Sequence, residues 1–422
     1  MAQNWVATGR KRLLLGAIDA LVWPLDAMTR LVWHRSADVE RDPRKILVLE
    51  FWRLGDAVLA EPFLRVLRER FPAAEISLLC REATRTLLQP SGVIDRFIVA
   101  DIPWTASEHK YALHRYRDTG FSTLLRQLRA ERFDVTIDAR IDLRSNLLTR
   151  FTGARRRIGF DAPGGRSLLT DRVPAPVASS HKVEDWLAML TPLGGRSESS
   201  SSGIVPKLAS KLAPKLVTTP EAHARAERFF SEAGIGPDRL VVAIHPSAWS
   251  PVRRWPLARF AAVVQALTAR DDVQVLLVND PDGYAAELGQ ISGVVVTRPS
   301  LEDLVAQLAR CQLFVGNDSG PAHIAAAVGV PTVTIFGPQV SLWYRPYGDN
   351  HRVVQIDDVP CRACFDRCTQ AENFCITGIS VSRVLVEIEA AIQSLSERGG
   401  VSSAERDSGA VDLMPAAGEI PG

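Results

Sequence analysis

The stretch from Leu313 to Gly337 constrains this chain more than any other. Leu313-Phe314-Val315-Gly316-Asn317 is an apolar run, Asp318-Ser319-Gly320 is a polar corner, and a small-residue segment through His323-Ile324-Ala325-Ala326-Ala327 leads to a second run, Pro331-Thr332-Val333-Thr334-Ile335-Phe336-Gly337. Short β-branched runs separated by a helix-length segment predict a β-α-β unit. Its polar corner falls at the C-terminal end of the first strand, where the helix begins. Unsatisfied backbone N–H groups at such a start attract anions. Asp318 is placed to reach neutral hydroxyls beside that anion. An anion and hydroxyls held together point to a sugar phosphate or a nucleotide sugar.

The same alternation of strand and helix recurs on both sides of a break. Ile46-Leu47-Val48-Leu49 reads as a buried strand, Arg53-Leu54-Gly55-Asp56 as the turn, and Ala57 to Arg70 as a helix that stops at Pro72. Further strands are predicted at Ile76–Leu79, Phe97–Val99 and Val135–Ile137, with a helix from Phe121 to Ala130. From Gly194 to Pro220 the pattern gives way to a serine run and Lys/Pro-spaced residues, a linker composition. It restarts with strands at Leu240–Ile244 and Val273–Val278, a helix from Pro256 to Ala269, and a helix capped by Ser300 that ends near Arg310. Alternation of this kind means parallel sheets covered on both faces. The fold class is therefore α/β, with two doubly wound, Rossmann-like halves facing across a cleft. Ligands of such sheets bind beyond the C-terminal strand edges, and lobe interfaces favour pockets.

Boundaries follow from these shifts. Residues 1–44 are an amphipathic N-terminal extension, 45–215 the first α/β domain, 216–398 the second, and 399–422 a small, polar, Pro-containing tail expected to be disordered. In the extension, Leu14, Ile18, Leu21, Leu25, Met28 and Val32 form a helical seam, with Trp5, Trp23 and Trp33 and basic residues at its edges. Asp19, Pro24 and Asp26 interrupt the seam, so it should not span a bilayer. Contact with a membrane surface and packing on the protein's own core or a dimer partner both fit.

Charge excludes one large class. The chain of 422 residues carries a formal net charge of +2, with no surplus for holding nucleic acid. No lysine follows Lys215, so cationic work in the second half falls to Arg or His. Four of the six cysteines form Cys361-x2-Cys364-x3-Cys368-x6-Cys375, while Cys80 and Cys311 sit in apolar runs. No convincing cleavable signal is present, which implies a cytoplasmic, reducing compartment. There the four thiolates suit a tetrahedral structural Zn, and an iron–sulfur cluster, a partial disulfide and free thiols remain open.

Three corners carry the chemistry. Asp56 after Gly55 is either a helix cap or a general base aimed into the cleft. His245-Pro246-Ser247-Ala248-Trp249-Ser250-Pro251-Val252-Arg253-Arg254-Trp255-Pro256 offers Ser247, Arg253 and Arg254 to phosphate oxygens, or is a solvated basic turn. The third is Asp318-Ser319-Gly320 with His323 one turn on, which also has a purely structural reading. Neither a Gly-x-x-x-x-Gly-Lys-Ser/Thr loop nor a first-strand Gly-x-Gly-x-x-Gly occurs, which disfavours a P-loop NTPase or an ordinary dehydrogenase.

From Lys45 to Ile392 the chain resembles glycosyltransferase family 9, the bacterial lipopolysaccharide heptosyltransferases. Four blocks carry the likeness: Ile46 to Pro72 with Gly55-Asp56 and Pro62; Arg157-Ile158-Gly159-Phe160; His245 to Phe260 with Trp255-Pro256, matching a Lys-x-Trp-Pro motif; and Gly316 to Gly337, matching an Asp-Thr-Gly…His-Leu-Ala-Ala…Gly-x-Pro motif. The resemblance implies a GT-B fold and an inverting transferase that needs no cofactor for catalysis. It would move a heptose or related sugar from an ADP-sugar to a lipopolysaccharide-core or other glycolipid acceptor, at the cytosolic face of the inner membrane. Carried over residue by residue, Asp56 is the base and Arg253 stands where the family has its phosphate-contacting Lys. Asp318 binds donor hydroxyls, Ser319 replaces the usual Thr, Gly320 keeps a backbone donor, and His323 matches the motif histidine. Glu287 or Asp282 is expected at the ribose. Arg for Lys, Pro321-Ala322 and Ser247-Ala248 mark a divergent member. Two other readings compete: a sugar-nucleotide-binding protein without catalysis, and a GT-B nucleotide-sugar epimerase.

Overall fold

The computed structural model describes residues 42–105, 112–163, 165–194, 212–280, 282–362, 364 and 366–398. The N-terminal seam, most of the linker and the C-terminal tail lie outside the described residues. Twelve strands are described: β1 (Lys45–Glu50), β2 (Glu75–Cys80), β3 (Arg96–Val99), β4 (Val135–Ile137), β5 (Arg156–Asp161), β6 (Asp171–Pro174), β7 (Leu240–His245), β8 (Val273–Val278), β9 (Val294–Thr297), β10 (Leu313–Asn317), β11 (Thr332–Phe336) and β12 (His351–Gln355). They form two six-stranded sheets, ordered β3-β2-β1-β4-β5-β6 and β12-β11-β10-β7-β8-β9. Every pairing within them is parallel.

The two orders are one order repeated, the doubly wound arrangement expected from the sequence. In each sheet the strand order reverses at its middle, between β1 and β4 and between β7 and β10. Loops leaving adjacent strands there run to opposite faces and open a crevice. The central strands are apolar along their length because helices cover both faces: Ile46, Leu47 and Val48, and Leu313, Phe314 and Val315, are fully buried.

The lobes meet through two helices, Leu54–Arg70 and Gly320–Ala327, which follow β1 and β10. One apolar cluster runs through both lobes, joining Val48 and Phe63 to Phe314 and Ile324. Two glycines permit the approach of the helix starts. A Cβ on Gly55 would lie 2.8 Å from Cδ2 of His323, and one on Gly320 would lie 3.1 Å from Cβ of Leu54. Among the described residues no helix is long and apolar enough to cross a membrane.

Candidate active site

A cleft of about 760 Å³ lies between the lobes at both strand-order reversals. Its walls are the segments that leave β1 (Trp52 to Asp56), β4 (Ala139 to Asp142), β7 (His245, Ala248, Trp249 and Arg253) and β10 (Asp318 to Pro321, with His323).

Asp56 sits at the third position of helix Leu54–Arg70, where its Oδ2 accepts the backbone N–H of Arg53 at 3.3 Å. It is thus a cap and a cleft residue at once. Its Oδ1 meets Nη2 of Arg140 at 2.8 Å. Burial pushes the Asp56 pKa upward. The charge and hydrogen bond of Arg140, the Arg53 N–H and His323 outweigh burial and hold it below the ordinary carboxylate value.

Arg140 comes from the segment after β4. Pairing of β1 with β4, Val48 opposite Ile137, brings that strand end beside the end of β1. The same Nη2 lies 3.3 Å from Oε2 of Glu50, the last residue of β1, which is buried. Oε1 of Glu50 accepts the N–H of Trp52 at 3.0 Å. Burial raises the Glu50 pKa to about 7, against the pull of Arg140 and with a further push from Asp56.

The second lobe supplies the opposite wall. Arg253, in the short turn Pro251–Arg253, donates from Nη1 to Oδ2 of Asp318 at 3.0 Å. Its Nε and Nη2 fork onto both carboxylate oxygens of Asp366, each at 2.8 Å. Burial raises Asp318 to about 6; Arg253 opposes this, and Asp366 and Asp56 add to it. Gln339 donates to Oδ1 of Asp366 at 3.2 Å, fixing the fork from the far side.

His245, at the end of β7, is buried with Nε2 3.0 Å from Oδ1 of Asp280 and Nδ1 3.4 Å from Oγ of Ser319. With Asp280 accepting from Nε2–H, Nδ1 is left to accept the Ser319 hydroxyl. Asn317 ties the corner to its neighbour: Oδ1 accepts the N–H of Trp255 at 3.1 Å and Nδ2 donates to the Pro246 carbonyl at 2.5 Å. Trp255 is fully buried and its Nε1 donates to the Ile379 carbonyl at 2.9 Å. The Trp-Pro and Asp-Ser-Gly blocks are therefore parts of one brace. Burial pushes His323 down to about 4, although Asp56 opposes this, so its ring is neutral against Gly55.

The cleft brings together Asp56, Arg253, Asp318, Ser319, Gly320 and His323. It leaves out four expected residues. Ser247 is buried beneath the corner. Arg254 donates from Nε to the Ala248 carbonyl at 2.8 Å and lays its guanidinium 4.1 Å from the Tyr284 ring centroid, so it shapes the turn instead of facing the cleft. Glu287 lies exposed in the short turn Ala286–Gln290, away from the cleft, and Asp282 is not in the wall either. Asp280 lines the cleft in that region. Arg140, Glu50, Asp280 and Asp366 were not singled out from the sequence. The nearest signal was the Asp138-Ala139-Arg140-Ile141-Asp142 cluster directly after a predicted strand.

The structural zinc expected at the four cysteines is not shown. Cys361, Cys364, Cys368 and Cys375 are free thiols. Among the described residues no group of three or more His, Cys, Asp or Glu side chains is gathered to hold a metal ion. Cys375 instead lies buried in the turn Phe374–Thr377 with its thiol 3.0 Å from Oδ1 of Asn373. The segment's visible contribution is to carry Asp366 to Arg253. Cys80 and Cys311 are buried thiols, as expected, and burial pushes both to about 12.

Comparison with known proteins decides the family. Residues 121–374 match glycosyltransferase family 9 (heptosyltransferase). The chain belongs to glycosyltransferase family 9. It is 29% identical over 310 residues to lipopolysaccharide heptosyltransferase 3 of Escherichia coli, covering 70% of this chain and 84% of that protein. Its fold is that of the solved family 9 glycosyltransferase from Veillonella parvula, with a TM-score of 0.67 at 23% identity over 84% of this chain and 99% of the other. The E. coli heptosyltransferase WaaC with ADP superposes with a TM-score of 0.59 at 19% identity, over 82% and 99% of the two chains. The architecture is GT-B, and the protein is a glycosyltransferase.

Proposed function

We propose that this glycosyltransferase moves a heptose or closely related sugar from an ADP-sugar to a lipopolysaccharide-core or similar glycolipid acceptor, with inversion at the anomeric carbon. The observation that carries the reading is the opposition of Asp56, on the first lobe, to Arg253 and Asp318 on the second across one cleft. The relatives' names support the sugar and the acceptor, and the ADP bound to WaaC supports the nucleotide.

Donor diphosphate lies against Arg253 and the N–H groups opening helix Gly320–Ala327. Asp318 accepts hydrogen bonds from sugar hydroxyls. The acceptor hydroxyl enters from the first lobe beside Asp56, which takes its proton as the oxygen attacks. The acceptor O–C1 bond forms while the C1–O bond to phosphate breaks, and the electron pair leaves on the nucleotide. Attack and departure on opposite sides of the sugar give inversion. The charge growing on the leaving diphosphate is met by the guanidinium and the helix start. Apposed lobes limit water as a rival acceptor.

The extension of residues 1–44 would hold the enzyme at a membrane surface. Liposome co-sedimentation with and without the residues before Arg41 tests this, and equal sedimentation would reject it. The function itself is tested by turnover and thermal shift with ADP-, GDP- and UDP-sugars and lipid-linked acceptors. Selective stabilisation by the ADP-sugar, and transfer abolished in Asp56→Asn, are expected. An Asp56→Asn enzyme at full rate would refute the assigned base.

A further inference from the structure

The base of the cleft holds more charge than a single catalytic carboxylate requires. Two carboxylates from the end of β1 and the helix that follows it converge on one guanidinium nitrogen. Nη2 of Arg140 lies 2.8 Å from Asp56 and 3.3 Å from Glu50. Asp56 faces the cleft, whereas Glu50 sits behind the arginine, its side chain 1% exposed. Trp52 lies beside the arginine, its ring centroid 5.3 Å from the guanidinium carbon. The arrangement is directional: cleft, Asp56, Arg140, buried Glu50.

We propose that Glu50 and Arg140 are positioning residues for the base, Arg140 aiming the Asp56 carboxylate and Glu50 taking over the arginine's charge when Asp56 accepts the acceptor's proton. This rests on the reading of Asp56 as base. Before reaction, Arg140 is balanced chiefly by Asp56. During attack the acceptor O–H bond breaks and an Asp56 O–H bond forms, so Asp56 loses its charge. A buried guanidinium would then stand unpaired, a costly state. An ionised Glu50 removes that cost; a protonated Glu50 does not. After product leaves, the Asp56 proton passes to water through the open cleft.

The sign of the pH effect follows. An ionised Glu50 draws on Arg140 and repels the Asp56 charge, which makes Asp56 the stronger base. Burial places that ionisation at about pH 7, so turnover rises as pH passes upward through this range. Other groups facing the trio are named by their fields. Asp138 and Cys80 face Glu50, while Lys182, Tyr344 and His323 face Asp56. Burial and Asp56 drive Tyr344 upward, and burial drives His323 to about 4, so neither titrates near 7. Asp318, at about 6, does titrate nearby; it remains in every variant and gives a reference limb.

The experiment is the pH profile of kcat for the full-length enzyme and for Glu50→Gln, with an ADP-sugar and acceptor at saturation. Wild type should lose turnover on acidification through about pH 7. Glu50→Gln should lack that limb and run about 3- to 10-fold below the wild-type alkaline plateau. Glu50→Asp should restore a displaced limb, which a merely structural role would not give. Arg140→Lys, whose shorter side chain lacks the planar guanidinium that holds Nη2 between the two carboxylates, should lower kcat with little change in donor KM. If Glu50→Gln does not fold, infrared titration of buried carboxyls decides instead, in Asp138→Asn because burial raises Asp138 as well and it too feels Arg140: a carboxyl ionising near 7 that moves on adding Arg140→Lys supports the proposal, and none overturns it. A wild-type limb retained in Glu50→Gln also overturns it. Failure of the base reading is separate, since it appears as activity in Asp56→Asn.

Discussion

The two aspartates of the cleft occupy matching places and behave oppositely. Asp56 follows β1 and Asp318 follows β10, each at the entrance to a helix and each against an arginine. Asp56 is held below the ordinary carboxylate value and Asp318 is raised to about 6. Burial opposes ionisation at both, so the arginine's other partner makes the difference. Arg140 shares itself with Glu50, which burial keeps largely uncharged below about 7. Arg253 spends two nitrogens on Asp366, whose field adds to the burial of Asp318. Local sequence specifies an acid at a strand–helix corner; what a distant residue does to the neighbouring cation decides whether that acid is charged.

Breaking the rear corner should have the largest effect. Arg253→Gln removes the only cation ion-paired to Asp318 among the described residues, and transfer should fall by about 10²- to 10³-fold. Steady-state rates with the ADP-sugar check this; a loss under threefold would show that the phosphates are held elsewhere. Next in size is the brace between the two rear blocks. Trp255→Ala should cost about 3–5 kcal/mol of folding stability, read by denaturant unfolding, because it empties a fully buried site and removes one of the two donors, with Arg259, to the Ile379 carbonyl.

Asp318→Asn sharpens the contrast through pH. A folded-state pKa of about 6, above the ordinary 3.8, means that the ionised carboxylate opposes folding at neutral pH. The folded protein binds the extra proton between those values, so the penalty is complete above about 6 and gone below about 4. The variant should therefore be more stable than wild type at pH 8, by on the order of 2 kcal/mol, and equal to it below about pH 4. Asp56→Asn should show no such gain, its ionised form being favoured. Thermal unfolding of both variants across pH distinguishes the corners. Smallest of all, Glu287→Gln should leave donor KM within about twofold, as befits an exposed residue outside the cleft.

Much of this was legible because the strands are short apolar runs with abrupt ends. Val135–Ile137 and Val273–Val278 match their predicted limits, and Ser300 caps its helix through the N–H of Asp303 at 3.2 Å. Edge strands β6, β9 and β12 escaped notice because polar and exposed positions dilute their pattern, as in His351-Arg352-Val353. Asp56 and Asp318 could be found from their own neighbours. Glu50 was hidden as the last residue of an apolar run, and Arg140 reaches it only through parallel register 90 residues away. Asp366 lies 113 residues from Arg253 in a segment whose cysteines drew attention to metal instead. Such partners follow from topology, which no local window contains.

One paired measurement tests the division of labour most directly: ADP affinity by calorimetry and single-turnover transfer from an ADP-sugar, in Asp56→Asn and Arg253→Gln side by side. A first lobe that does proton chemistry and a second that holds the donor predict wild-type ADP binding without transfer in Asp56→Asn, and weakened ADP binding in Arg253→Gln. Transfer surviving in Asp56→Asn, or ADP binding lost there and kept in Arg253→Gln, would contradict it.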